Sequence, residues 1–169
     1  MTIKAVVFDI GGVLERVDDA SWPQRWMAGW EGRLGLDEAD TDELIREMWD
    51  AYCGELDREL FDYFVSLRAN CKIGILSNSG DGARREEQRR FGFQDVTDDI
   101  VYSHEVGLAK PDPKIYALTS DRLGVLPDEI VFLDDLETNV QAARELGWHA
   151  LVHRDTATSI STIGELVTA

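Results

Sequence analysis

Short unbroken apolar runs alternate along this chain with stretches in which apolar residues recur three or four positions apart. The runs are Ile3 to Phe8, Ile73-Gly74-Ile75-Leu76, Ile130-Val131-Phe132-Leu133 and Ala150 to Val152. Such runs, rich in β-branched residues, suit strands buried on both faces, whereas spacings of three and four mark helices with one buried stripe. Leu60, Phe61, Phe64 and Leu67 predict a helix before the second run, and a basic helix is expected over 81–90. A short strand follows at Ile100 to Ser103, then a helix opened by Pro113 that carries Ile115, Leu118 and Leu123. Thr138 to Leu146 reads as a helix stopped by Gly147, and the last strand precedes a C-terminal helix. Repeated alternation of strand and helix predicts an α/β fold with a doubly wound, parallel, five-stranded sheet.

Residues 15–56 break this rhythm. They read as mostly helical, interrupted near Gly32 to Asp40, with no strand-like run, and form a small helical insertion into a core of residues 1–14 and 57–169. Trp22, Trp26 and Trp30 recur every four residues, and Leu44, Ile45, Met48, Trp49 and Tyr52 make a second apolar face. Two amphipathic helices zipped about an aromatic core account for this pattern. Two helices have little volume in which to hide four tryptophans, so a homodimer through the Trp-rich insertion is the alternative.

At 169 residues, with 44% hydrophobic and 30% charged residues, the chain suits one soluble domain with a substantial core. Its formal net charge of −16 opposes nonspecific binding to nucleic acid or to an anionic membrane, so a phosphorylated ligand needs a local cation. Cys53 and Cys71 stand apart from each other and from any pair of histidines, which implies neither a disulfide framework nor a zinc site. The N-terminus has no long apolar region and no segment is long enough to span a bilayer, so a cytoplasmic location is expected.

Chemistry concentrates where the strands end. Asp9 closes the first apolar run and is followed by Gly11 and Gly12, which let the backbone turn sharply and approach a ligand. Ser77 and Asn78 follow the second run, Lys110 precedes Pro111, and Asp134-Asp135 follows the third, with Asn139 one helical turn further on. Singly these residues are ordinary: strand-end Asp caps helices, Ser and Asn form turns, and most lysines are solvated. Adjacent carboxylates after a buried strand repel each other and call for a cation or a proton, and Mg²⁺, a hard oxygen-seeking ion, suits them. Other polar groups carry no assignment: Arg84, Arg85, Arg89 and Arg90 read as a solvated face, and His104, His149 and His153 lack ligand spacing.

In this order, Asp9, Ser77, Lys110 and Asp134-Asp135 with Asn139 resemble the motifs of the haloacid dehalogenase superfamily, in its phosphatase-type branch with a small helical cap. The resemblance implies a Rossmann-like core with the Asp9 strand central and a Mg²⁺-dependent phosphohydrolase acting on a small phosphorylated metabolite. Asp9 is then the nucleophile, forming an aspartyl-phosphate. Lys110 supplies fixed positive charge, and Ser77, with backbone amides near Gly11 and Asn78, binds the phosphoryl group. Asp9, the Gly11 carbonyl and Asp135 hold the metal, Asp134 acts through water or from behind, and Asn139 orients the acidic loop. The departure is at Gly11, where many of these phosphatases carry an acid-base aspartate; Glu15 or Asp18 is a candidate replacement. Two alternatives follow: a metal-free 2-haloacid dehalogenase, or a weakly catalytic regulatory protein that retains phosphate and metal affinity.

Overall fold

Ala5–Phe8 forms β1, and its side chains divide between two buried layers, with Val6 and Phe8 on one face and Ala5 and Val7 on the other. A strand buried on both faces needs helices on both sides, and the computed structural model, which describes residues 2–16 and 38–168, supplies them. The other strands of the sheet are β4 (Lys72–Ser77), β5 (Asp99–Tyr102), β6 (Ile130–Asp134) and β7 (His149–Val152). They pair in the order β5-β4-β1-β6-β7, every pairing parallel. β1 is therefore central, as expected.

On one face, Phe8, Ile73, Ile75 and Leu133 pack with α2 (Arg58–Ser66), through Leu60, Phe61 and Phe64, and with Ile163 of α8 (Thr156–Thr168). Phe8 stacks on Phe64 with ring centroids 4.6 Å apart. On the other face, Val7, Leu76, Ile130 and Phe132 meet α6 (Pro113–Leu123) and α7 (Glu137–Glu145), with Ile115, Tyr116, Val140 and Trp148 filling the layer. Each of these side chains contributes roughly 1.5–3 kcal/mol by leaving water, which sets the sheet's register firmly. Gly147, at φ +93°, ends α7 where expected.

One expectation needs correction. Residues 15–56 begin and end in strand: β2 (Glu15–Arg16) pairs antiparallel with β3 (Glu55–Leu56) and closes the mouth of the insertion. Two-residue strands are too short to display an alternating pattern, so sequence periodicity cannot reveal them. Between them, α1 (Glu38–Cys53) turns Trp49 and Cys53 into the core, with Met48 and Tyr52 packed beside them, while Ile45 is exposed. Trp22, Trp26 and Trp30 lie outside the described residues. The basic helix is α3 (Ala83–Phe91), followed by α4 (Phe93–Val96); α5 (Ser103–Val106) follows β5 directly.

Candidate active site

Parallel pairing brings strand ends to a common edge. Phe8 is level with Ile75 of β4 and Leu133 of β6, so Asp9, Ser77 and Asp134 emerge side by side at the carboxyl ends of the three central strands. The chain runs from β1 to β4 and β5 on one side and then crosses to β6 and β7 on the other, the switch point where open α/β sheets form ligand crevices.

Lys110 organises the centre. Its side chain is 1% exposed, and Nζ lies 2.8 Å from Asp9 Oδ1 and 2.7 Å from Asp134 Oδ2. Nζ also donates to the Leu76 carbonyl at 2.9 Å. Asn78 fixes its backbone reciprocally: Asn78 Nδ2 donates to the Lys110 carbonyl and the Lys110 N–H donates to Asn78 Oδ1, both at 2.8 Å. Asp9 Oδ1 further accepts the Ile10 N–H at 2.8 Å. Asp134 is wholly buried, accepts the Leu136 N–H on Oδ1 and receives Asn139 Nδ2 on both oxygens at 3.0 and 3.1 Å. Asn139 is thereby tied to Asp134 through both carboxylate oxygens.

Asp9, Asp134 and Asp135 each present an oxygen, all within 4.8 Å of one another. Three carboxylates facing one ammonium leave an excess of negative charge, and the donor set is all hard oxygen, which fits Mg²⁺. Burial pushes the Asp9 carboxyl above its usual range, with Asp134 reinforcing and Lys110 opposing; Asp135 is raised by burial and by Asp134. Gly12, at φ +75°, lets the turn pass over this loop, since a β-carbon there would sit 2.5 Å from Asp135 Oδ2. Gly11 is different: a β-carbon at that position meets no atom within 4 Å. Ser77 is 3% exposed, and among the described residues its hydroxyl has no hydrogen-bond partner.

The structure therefore brings Asp9, Gly11, Ser77, Asn78, Lys110, Asp134, Asp135 and Asn139 to one edge. Asp18 falls outside the described residues. Glu15 is buried, with Oε1 unpartnered among the described residues, and burial together with Glu87 and Asp9 pushes its carboxyl up to about 10. The arginines of α3 pair with acids: Arg84 with Glu105, Arg85 and Arg89 with Glu86, and Arg90 with Asp50 of α1. His149 contacts the Asp128 carbonyl and His153 the Ser159 hydroxyl. Sequence reasoning gave no role to Ser79, Ser103 or His104. Ser79 Oγ lies 2.9 Å from His104 Nδ1, and Ser103 Oγ bonds both the N–H and the carbonyl of Ser79. Ser103 and His104 follow the end of β5 as Ser77 closes β4, so the strand-end rule, applied to β5, points to them.

A family model for hydrolases, haloacid dehalogenase-like hydrolase, matches residues 28–147. D-ribitol-5-phosphate phosphatase from Bacteroides thetaiotaomicron is 26% identical over 189 residues, covering 86% of this chain and 89% of that protein. Bifunctional epoxide hydrolase 2 from Sus scrofa is 46% identical over 63 residues, but that match spans 37% of this chain and only 11% of that protein. Among solved structures, a predicted HAD-like family hydrolase from Porphyromonas gingivalis superposes with a TM-score of 0.79 at 25% identity, covering 100% of both chains. A HAD family enzyme from Bacteroides thetaiotaomicron, in complex with magnesium and inorganic phosphate, gives a TM-score of 0.71 at 22% identity, covering 90% of this chain and 94% of that one.

Proposed function

Because the chain belongs to the haloacid dehalogenase-like hydrolases, we propose that it is a Mg²⁺-dependent phosphohydrolase that cleaves a small phosphorylated metabolite through a phosphoryl group carried on Asp9. One observation carries this reading: Lys110 bridges Asp9 and Asp134 while three carboxylates converge within 4.8 Å. A nucleophilic carboxylate has to meet an anionic phosphoryl group, and that encounter needs positive charge fixed at the point of attack.

The Ile10 N–H and Lys110 hold Asp9 Oδ1 and so fix the plane of the carboxylate, leaving Oδ2 to attack phosphorus. A bond from Asp9 to phosphorus forms as the ester oxygen leaves with its electron pair. Lys110 and the Ser77 hydroxyl hold the phosphoryl oxygens. Water then attacks phosphorus and the phosphorus–Asp9 bond breaks, releasing inorganic phosphate and the Asp9 carboxylate, while the proton that water gives up balances the one the departed alkoxide takes from solvent. Asp9, Asp135 and the Gly11 carbonyl, backed by Asp134, would hold Mg²⁺, which would supply charge neutralisation there. The three clustered acids weigh against the metal-free dehalogenase, since they repel a carboxylate substrate.

Gly11 offers no side chain to protonate the leaving oxygen, so esters whose alcohols leave readily are the preferred substrates. Residues 15–56, closed off by the β2–β3 ribbon, act as a reduced cap that selects the substrate. The test is turnover of p-nitrophenyl phosphate and a panel of sugar and nucleotide phosphates, with Mg²⁺ and with chelator. Chelator-sensitive release of phosphate is expected; its absence on every ester sinks the reading.

A further inference from the structure

The loop that follows β4 is pinned from two directions. Asn78 ties it to Lys110, whose role is already described. Ser79 ties it to the start of α5, which carries none of the site's carboxylates or cations. Ser103 Oγ accepts the Ser79 N–H at 2.9 Å and donates to the Ser79 carbonyl at 3.2 Å. One hydroxyl thereby occupies both backbone polar groups of Ser79. His104 Nδ1 takes the remaining polar group, lying 2.9 Å from Ser79 Oγ. Ser79, Ser103 and His104 are all half-buried, so these bonds are only partly open to competition from water.

Holding a loop residue in one backbone conformation costs about 1–2 kcal/mol of conformational entropy, which three hydrogen bonds, two from Ser103 and one from His104, can offset. Ser77 needs that help. Its hydroxyl has no partner among the described residues, and the backbone that carries it leaves β4 immediately afterwards. A loop free to shift would carry the hydroxyl away from the phosphoryl group by a distance that matters for binding.

We propose that Ser103 and His104 are positioning residues that act through Ser79 to hold the Asn78–Ser79 loop, and with it the Ser77 hydroxyl at the end of β4, in its phosphate-binding shape. The proposal rests on the phosphohydrolase reading. Neither residue touches the reacting atoms, and Asp9 and Lys110 are placed by other bonds. Loss of the bracket therefore weakens phosphate binding more than it slows the chemical step.

The experiment compares S79A, S103A, H104A and H104N with the parent protein, using p-nitrophenyl phosphate kinetics with Mg²⁺ and calorimetric titration with inorganic phosphate. Deleting one such bond is expected to raise KM and the phosphate dissociation constant about three- to tenfold, with kcat changing less. H104N, whose amide can replace Nδ1, restores both constants to within about twofold of the parent. S79A/H104A is no worse than the poorer single variant, because both remove the same bond. Unchanged KM in H104A and S103A, or H104N no better than H104A at equal melting temperature, overturns the proposal. S79A deletes only a hydroxyl and gives the same readout if H104A fails to fold. If the parent shows no turnover, the phosphohydrolase reading falls, and phosphate titration of the same variants still decides the bracket.

Discussion

The proposed mechanism leaves Gly11 as the position without an acid, and Gly11→Asp supplies one. A β-carbon at Gly11 meets nothing within 4 Å, and Gly11 is not among the positive-φ glycines, so the substitution introduces neither a clash nor backbone strain. Gly11 lies two residues beyond Asp9 in the chain, and any carboxylate within reach of the new group raises its pKa, which favours the protonated form that an acid catalyst needs. A positioned general acid is worth ~10²- to 10⁴-fold, or ~3–5 kcal/mol off the barrier. The full gain applies only where the leaving oxygen is a strong base. For an alkyl ester such as glycerol phosphate, kcat/KM should rise at least tenfold, toward the lower end of that range. For p-nitrophenyl phosphate, whose phenolate leaves unaided, the rate should move less than about threefold. The assay is phosphate release from both esters at saturating Mg²⁺, wild type and variant side by side. An equal gain on both esters, or no gain on the alkyl ester, refutes the assignment of Gly11 as the position of the missing acid.

Lys110→Met leaves the buried carboxyls of Asp9 and Asp134 facing each other uncompensated, at a cost of ~3–5 kcal/mol. In chelator the melting temperature should fall by about 6–20 °C, and a fall of less than about 3 °C contradicts the bridging role. Asn139→Ala removes both bonds that aim Asp134, and Mg²⁺ affinity measured by calorimetry should weaken ~10- to 100-fold; unchanged affinity refutes that role. Glu87, 1% exposed and hydrogen-bonded by the Tyr102 hydroxyl, has its carboxyl pushed up by burial from 4.5 to about 7. The folded chain therefore keeps a proton that the unfolded chain releases. That stabilisation is whole below about 4.5 and is lost as pH rises through about 7, a fall on the order of 3 kcal/mol. Urea unfolding of Glu87→Gln across this window should show a flatter dependence on pH than the parent, and an identical slope contradicts it.

Strand ends were the most legible part of the site. Asp9, Ser77 and Asp134 each close a run buried on both faces, and parallel pairing must then bring them to one edge. Lys110 has no such local signal; only its order among the other motifs singled it out, and the structure gives the reason in its paired contacts with two acids. What stayed hidden depends on long-range contact. The bonds from Ser79 join residues 24 and 25 positions apart and leave no local pattern. Glu87 sits among Arg84, Arg85, Arg89 and Arg90, so composition suggests a solvated helix, yet its own side chain turns inward to Tyr102. Arg90, with 19% of its side chain exposed, is likewise drawn under α1 by Asp50. Composition averages around a helix, whereas burial acts on one face at a time.

The central claim is that Asp9 carries the phosphoryl group, and mass spectrometry of acid-quenched protein tests it most directly. With p-nitrophenyl phosphate and Mg²⁺ present, a phosphoryl adduct should appear on the peptide that contains Asp9 and disappear under mild alkali, as an acyl phosphate does. Asp9→Asn should show neither adduct nor turnover. An adduct on a different residue, or steady phosphate release by Asp9→Asn, contradicts the account.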